Sequence, residues 1–596
     1  MKELLVVSLG STGEQEGRLL ELASWMGVPT RAVPISGDAD LIEQVSARGT
    51  RARVCLALSG NTLLAIDRSE SSERFKNFLR DACEALLIFG IADSVLHKRA
   101  LQWLTEDAVS VSPSPAGYDL SFNFPAEARR FSRQLAGLSF RTGDGMSLPG
   151  LRLPATREDA EAIMLQGGAP VFAHVRRSAC PVFMLVEIPM PDVHERLSPG
   201  RVMGDLYERL IPPLIFLRHS FGNACWHGVD RTARVIIDDP LLQKRYGCLD
   251  FERLKGSMGK TGYGTTVAFI PWNYRRTSER KASTFSAESS NISICVHGCD
   301  HTSNEFGIRD REILSQKARL AMQRMEAHES RTRIPFERIM VFPQGRFSTE
   351  ALGALRANGY LAAVDSGCFP IGSSKASLSV ADFLRPAIQF EGFPVFKRHY
   401  PRRLIDFAFD LFLGKPVLIV EHHGYFRDGG ESLELLVEEL RRIEPGLKWS
   451  TLTSQLTRSC FRRSRSEGEV DVQFYTSEFH LRNGSERLVR YYLSKQEADP
   501  TLIRRILVEG VSVPFSAHGG SLCFELEVDP GRTMKIEIED RERPARPAFR
   551  GSKRHDMRVR LRRILAEFRD ERLVRHPGLL KAATRVARAL GVRVGV

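Results

Sequence analysis

Three separated places in the chain carry residues whose types and spacing could do chemistry. In Asn291 to Gly307, NISICVHGCDHTSNEFG, His297 ends a β-branched apolar run and His301 follows four residues later. If the chain leaves a strand at His297 and turns, both imidazoles can face one pocket, which is metal-ligand spacing. Two histidines four apart read equally well as polar residues at a helix start, so the pair needs company. Asp238 and Asp239 close an earlier apolar run, and Pro240 follows at once and halts the strand ladder. Neighbouring side chains in a strand face opposite ways, but at its end both carboxylates can reach one pocket, one to ligate a metal and one to act as base. Two acids in an exposed turn are the alternative. His422 and His423 end a third such run, KPVLIVEHHG.

These residues need strands to position them. From near Leu206 the strand-like runs are ARVIIDDP, TTVAFIPW, NISICVHG, RIMVFPQG, YLAAVDSG and KPVLIVEHHG. Helical patterns such as REILSQKARLAMQRMEAHES and TEALGALRANG separate them. Continuous apolar strands with intervening helices predict a parallel sheet covered on its outside, either open or closed as a (β/α) barrel. The polar residues stand at C-terminal strand ends, where sites of such folds assemble.

Taken in chain order, Asp238-Asp239, His297 with His301, Phe342-Pro343-Gln344-Gly345 and His422-His423 resemble the motifs of the polysaccharide deacetylase family, that is, the NodB-homology or family four carbohydrate esterases, over roughly residues 206 to 450. The resemblance implies a distorted (β/α) barrel and a hydrolase that cuts an amide C–N bond to deacetylate an N-acetylated sugar or polysaccharide. By position, Asp239, His297 and His301 would hold a divalent metal, zinc being the first expectation, and Asp238 would be the base. The backbone N–H of Gln344 would face the oxyanion, and His422 or His423 would protonate the leaving amine. Strand parity does not choose between the two histidines, because VLIV is apolar on both faces; the family's leucine-x-histidine pattern favours His422.

The departures from the family pattern matter equally. Asp-Asp is followed by Pro240 where the family has glycine, and Gly298 replaces a hydroxyl residue after His297. The arginine that braces the family's base is missing before Pro343, with Arg346 and Arg385 as stand-ins, and the fourth-motif tryptophan is not evident. A glycan-binding or envelope-associated protein on the same barrel, with altered catalysis, is therefore the alternative reading. Glu305 could orient a ligand or be a helix-surface glutamate. His219, His227 and His399 read as surface or core residues, and Tyr425 and Arg427 could bound the pocket.

At 596 residues the chain exceeds one core, and an α/β multidomain protein is expected. An N-terminal α/β domain (1–200) alternates apolar runs such as LLVVSLG and RARVCLALSG with amphipathic ones. Its SLGSTGEQEG lacks the glycine spacing of a nucleotide loop, and Cys55, inside a strand-like run, reads as core. The barrel spans 206–455. Residues 465–540 alternate as short strands and predict a β-sandwich, and 550–596 form a basic helical tail. The chain carries net charge +13, and residues 541–596 alone hold 17 Lys or Arg against 5 Asp or Glu, so the tail is a candidate for an anionic partner. A solvated helical surface would have the same composition. No run reaches the apolar length of a transmembrane segment, and the ten scattered cysteines, with no CxxC pair or repeating spacing, argue against a disulfide framework. With no leader pattern after Met1, a cytoplasmic location is expected, while the resemblance implies a carbohydrate substrate.

Overall fold

The computed structural model describes residues 2–35, 54–541 and 552–572, apart from short interruptions at 70–71, 114–119, 143–146, 155–158, 177–179, 202, 230, 279–281, 283–284, 286–290 and 373–376. The expected linker at 541–549 and the expected helix beyond 572 lie almost wholly outside the described residues. The chain divides into two compact units, one of residues 1–227 with 379–384 and 462–470, the other of the remainder. Among the described residues no helix is long and apolar enough to cross a membrane.

The first unit is α/β. Leu4–Leu9, Thr30–Ile35, Val54–Ser59, Cys83–Ile91 and Val182–Val186 pair in parallel, and the sheet continues into antiparallel Ala169–Val175 and Ala160–Gln166. Cys55 is fully buried in this sheet, and burial pushes its thiol up to about 12, which leaves it no nucleophilic character at neutral pH.

In the second unit nine strands of the described residues form one sheet: β1 (Thr232–Asp238), β2 (Thr265–Phe269), β3 (Ile292–His297), β4 (Phe336–Val341), β5 (Ala362–Asp365), β6 (Ala387–Phe390), β7 (Phe393–Lys397), β8 (Val417–His422) and the short Lys448–Trp449, which branches off β1. Their order is β6-β7-β5-β4-β3-β2-β1-β8. All pairs are parallel except the β6-β7 hairpin, which the sequence reading passed over. Helix Arg311–Thr332 starts where Asp310 accepts from the N–H groups of Glu312 and Ile313, and Thr349–Ala357 starts on the Ser348 cap. After Leu456 the elements are short antiparallel strands, Glu478–Arg482, Ile503–Val508 and Thr533–Asp540 in one sheet and Val489–Gln496 with Ser521–Val528 in another. The described tail is one helix, Lys553–Glu571.

Ile236, Ala268, Cys295, Val341, Val364, Phe396 and Leu418, drawn from seven strands, share one buried core. Side chains two residues further along a strand stay on the same face. The core face therefore ends in Asp238 on β1, His297 on β3, Arg398 just beyond β7 and His422 on β8. Past β7, His399 donates its N–H to Leu418 O at 2.9 Å and accepts from Val420 N at 3.0 Å, joining the β7 end of the sheet to β8. Its ring pairs with buried Asp410 at 3.1 Å, which also binds Lys415 Nζ at 2.8 Å. Burial opposes ionisation of Asp410, but Lys415 and His399 outweigh it and hold the carboxyl at about 2 against an ordinary 3.8. A depressed carboxyl stabilises the fold above its unfolded value, and that stability is lost as pH falls toward the folded one. Asp410→Asn should therefore cost about 2 kcal/mol at pH 7. In denaturant melts the difference from wild type should shrink as pH drops from about 4 to about 2; a pH-independent gap would contradict the pairing.

Candidate active site

At the C-terminal end of β1 the backbone turns over. Asp238 stays on the core face, 3% exposed, while Asp239 takes φ 80 before Pro240. That left-handed turn swings the second carboxylate toward β3 instead of away from it. His301 (φ 54) and Gln344 (φ 61) are left-handed too, so three of the expected site residues sit in uncommon backbone.

The loop after β3 brings the histidines together. His297 Nε2 lies 3.5 Å and His301 Nε2 3.1 Å from Asp239 Oδ1, and the imidazole centroids are 4.9 Å apart. His297 Nδ1 is 3.0 Å from Val341 O and donates to it, which leaves Nε2 as the lone-pair nitrogen facing Asp239. Asp239 Oδ1 is buried with no hydrogen-bond donor of acceptable geometry. Three lone-pair donors thus converge within 4.8 Å of one another. Ligand atoms about 2.1 Å from a tetrahedral ion stand about 3.4 Å apart, so the observed spacing fits a divalent cation. Burial, which Asp239 only partly offsets, holds His301 down to about 3, in the neutral form a ligand needs. Burial opposes the charge of His297 also, but Asp238 and Asp239 raise it above its ordinary value.

What fixes the loop is Glu305. Its fully buried carboxylate accepts from the N–H groups of Cys299 (3.0 Å), Asp300 (2.9 Å) and His301 (3.0 Å), and Lys317 Nζ balances it at 3.1 Å. Glu305 is an orienting residue and not a helix-surface glutamate. Gly298 has φ 65, and a Cβ there would meet Pro343 Cγ at 2.5 Å and Glu305 Oε2 at 2.7 Å, which accounts for glycine where the family has a hydroxyl residue. A second acidic cluster, Cys299, Asp300 and Glu305, is already occupied by Arg324, Lys317 and His555 and is an ion-pair network.

Asp238 faces Arg398, whose guanidinium makes two parallel bonds of 2.7 Å to Oδ1 and Oδ2. Burial raises the Asp238 carboxyl, but Arg398 and then His297 outweigh it and keep it below its ordinary value. The expectation that Arg346 or Arg385 braces this carboxylate is corrected: neither pairs with it. Arg398 stands second after the apolar run FPVF, behind Lys397, at the end of a strand that the sequence reading does not include. Asp365 was also missed; fully buried at the end of β5, it accepts from Gly367 and Cys368 N–H, and burial pushes it up.

The two late histidines part company. His422 lies opposite Asp238 in the β1-β8 register, stacks with Tyr400 at 6.4 Å between centroids, and its charge acts on Asp238. His423 opens the next turn; its ring stands edge-on to Tyr246, and Nε2 lies 3.4 Å from Asp570 of the C-terminal helix. His423 is thus not brought to Asp238, and parity follows from Leu418, which packs in the core. Gln344 is exposed at the tip of the turn Pro343–Gly345, and Phe342 stacks on Phe347 beneath it. His219 packs among Phe131, Phe183 and His174, His227 bonds Cys225 O, and His399 holds Asp410.

No protein-family model matches the chain, and no curated protein does. Among solved structures, the neighbours include a deacetylase with its substrate (14% identity, 39% of this chain and 94% of that one, TM-score 0.23). A family 4 carbohydrate esterase from Streptomyces lividans in complex with acetate aligns at 11% identity, covering 37% and 93%, TM-score 0.23. A peptidoglycan deacetylase from Bacillus subtilis aligns at 9% identity over 38% and 90%, TM-score 0.24. A 4-alpha-glucanotransferase from Thermococcus litoralis is also similar, at 11% identity over 38% and 40%, TM-score 0.26. At these values the likenesses carry no argument about chemistry, which rests on the residues above.

The loop geometry makes a direct demand. Gly298→Ala should lower stability by about 2 kcal/mol or more, from the left-handed backbone and the clash with Pro343 together. A melting temperature equal to wild type would remove the steric account of Gly298.

Proposed function

We propose that the chain is a metal-dependent hydrolase of the polysaccharide deacetylase type, with a distorted (β/α) barrel at roughly 206–455 that removes an acetyl group from an N-acetylated sugar. The N-terminal α/β part (1–200), a β-sandwich (465–540) and a basic tail (550–596) would flank it. The observation that carries this reading is the convergence of His297, His301 and Asp239 on one point beside a separately compensated Asp238. Two imidazoles and one carboxylate leave positions open for water and substrate, the composition of a catalytic site and not of a closed structural one.

A divalent cation held by Asp239, His297 and His301, zinc first, would supply Lewis-acid polarisation and a water acidic enough to ionise near neutral pH. The chain's own residues supply the proton traffic. Asp238, held ionised and oriented by Arg398, accepts the proton of the attacking water. The Gln344 backbone N–H sits on the turn expected to face the acyl oxygen, and His422, on the core face with Asp238, donates to the departing amine. His423, engaged by Asp570, positions the tail.

The second reading, a glycan-binding protein on the same fold, draws on Pro240 in place of the glycine after the aspartate pair. Turnover separates the two. Purified protein should carry about one metal per chain, and Asp239→Ala and His301→Ala should lose it, whereas Asp238→Asn should keep it. Acetate release from N-acetylated oligosaccharides should fall at least about 100-fold in Asp238→Asn and in His422→Ala, and only slightly in His423→Ala. Full metal in both ligand variants would sink the metal assignment, and a large loss in His423→Ala with none in His422→Ala would reverse the choice of acid.

A further inference from the structure

Helices on protein surfaces ordinarily bury their apolar stripe and show their charges to water. Lys553–Glu571 does the reverse. Its buried or half-buried face carries His555, Arg563, Glu567 and Asp570, which meet charged and polar groups around the strand ends: His555 with Asp300 at 3.0 Å, Asp570 with Tyr246 at 2.9 Å and His423 at 3.4 Å, Glu567 with Arg276 at 2.9 Å. The opposite face presents Met557, Leu561, Ile564, Leu565 and Phe568, each between 56% and 67% exposed. Their spacing of three and four residues makes them one stripe. Exposed Arg554 and Arg558 flank it on one side and Lys553 and Arg560 on the other.

We propose that this helix docks on an anionic membrane surface, its apolar stripe entering the headgroup boundary and its flanking Arg and Lys meeting lipid phosphates, while its charged face remains seated beside the site. An apolar stripe bordered by basic residues on a helix too charged to span a bilayer is the pattern of an interfacial helix. Charge disfavours the other occupants. Residues 573–596 contain five Lys or Arg and no Asp or Glu, so folding them over the stripe would set like charges together. A second copy packed stripe to stripe would do the same with Arg554, Arg558 and Arg560. Nucleic acid would engage the arginines but leave five large apolar side chains in water.

The test is co-sedimentation of the purified full chain with vesicles, read without reference to turnover, so it can fail while the deacetylase reading stands and the reverse. Vesicles of equal phosphatidylglycerol and phosphatidylcholine should bind the chain, vesicles of phosphatidylcholine alone should not, and added salt should weaken binding. Leu561→Glu with Phe568→Glu, both exposed and on the helix face opposite its charged contacts, should weaken binding at least about tenfold. Leu561→Met with Phe568→Leu should retain it. Undiminished binding by the glutamate variant, or equal binding to both vesicle types, overturns the proposal. So does a dimer that the glutamate variant dissolves without any vesicle binding, or duplex DNA binding unaffected by that variant with none to lipid.

Discussion

The Glu305 carboxylate is the contact on which the rest of the site depends. Three successive backbone N–H groups, from Cys299 to His301, point into the interior where no strand or helix can accept them. A buried donor left without a partner costs about 1–3 kcal/mol, so one carboxylate that takes all three stabilises a turn the backbone would otherwise avoid. That turn includes the left-handed His301. Lys317 neutralises the charge so introduced, and the ring of His301 is delivered to Asp239 as a consequence.

Two adjacent buried carboxylates then pose an electrostatic problem, and the chain solves it differently for each. Asp238 receives a guanidinium that matches both oxygens, which keeps it charged and fixed. Asp239 has no such guanidinium pair among the described residues; its nearest polar partners are two imidazole nitrogens, one of them made an acceptor by the Val341 carbonyl, and Arg563 acts on it from farther off. A carboxylate so placed is compensated by partial means alone, and leaving a buried charge uncompensated costs several kcal/mol. Neighbours in sequence are thereby given different electrostatic surroundings, as the proposed division into base and metal ligand requires.

Legibility followed range. Strand ends could be read because apolar β-branched runs stop at polar residues, which brought out Asp238, Asp239, His297 and the helices that open on Asp310 and Ser348. The neighbourhood of His297 and His301 depends on a five-residue loop and was legible for the same reason. Arg398 was not, because its partner stands 160 residues away and nothing local in KRHY distinguishes an ion-pairing arginine from a surface one. Strand parity could not choose between His422 and His423, since a strand buried on both faces has no polar side to set it, and only the resemblance's leucine-x-histidine pattern favoured His422. Which of the two lies on the core face follows from Leu418, and hence from the whole core.

The tail shows the same limit in another form. Its amphipathic spacing is plain in the sequence, but spacing says only that two faces differ, not which one turns inward. That is decided by what the helix lands on. The rim of the β1-β8 sheet offers Asp300, Tyr246, Arg276 and His423, polar groups that themselves need partners once water is displaced. Asp300 has Arg324 and Lys317 besides, but an apolar face laid there would take the helix partners from Tyr246, Arg276 and His423, whereas the charged face supplies them and keeps Val559 as its buried apolar contact. The polar rim around the candidate site is thus also what turns the helix over and leaves its apolar stripe facing outward.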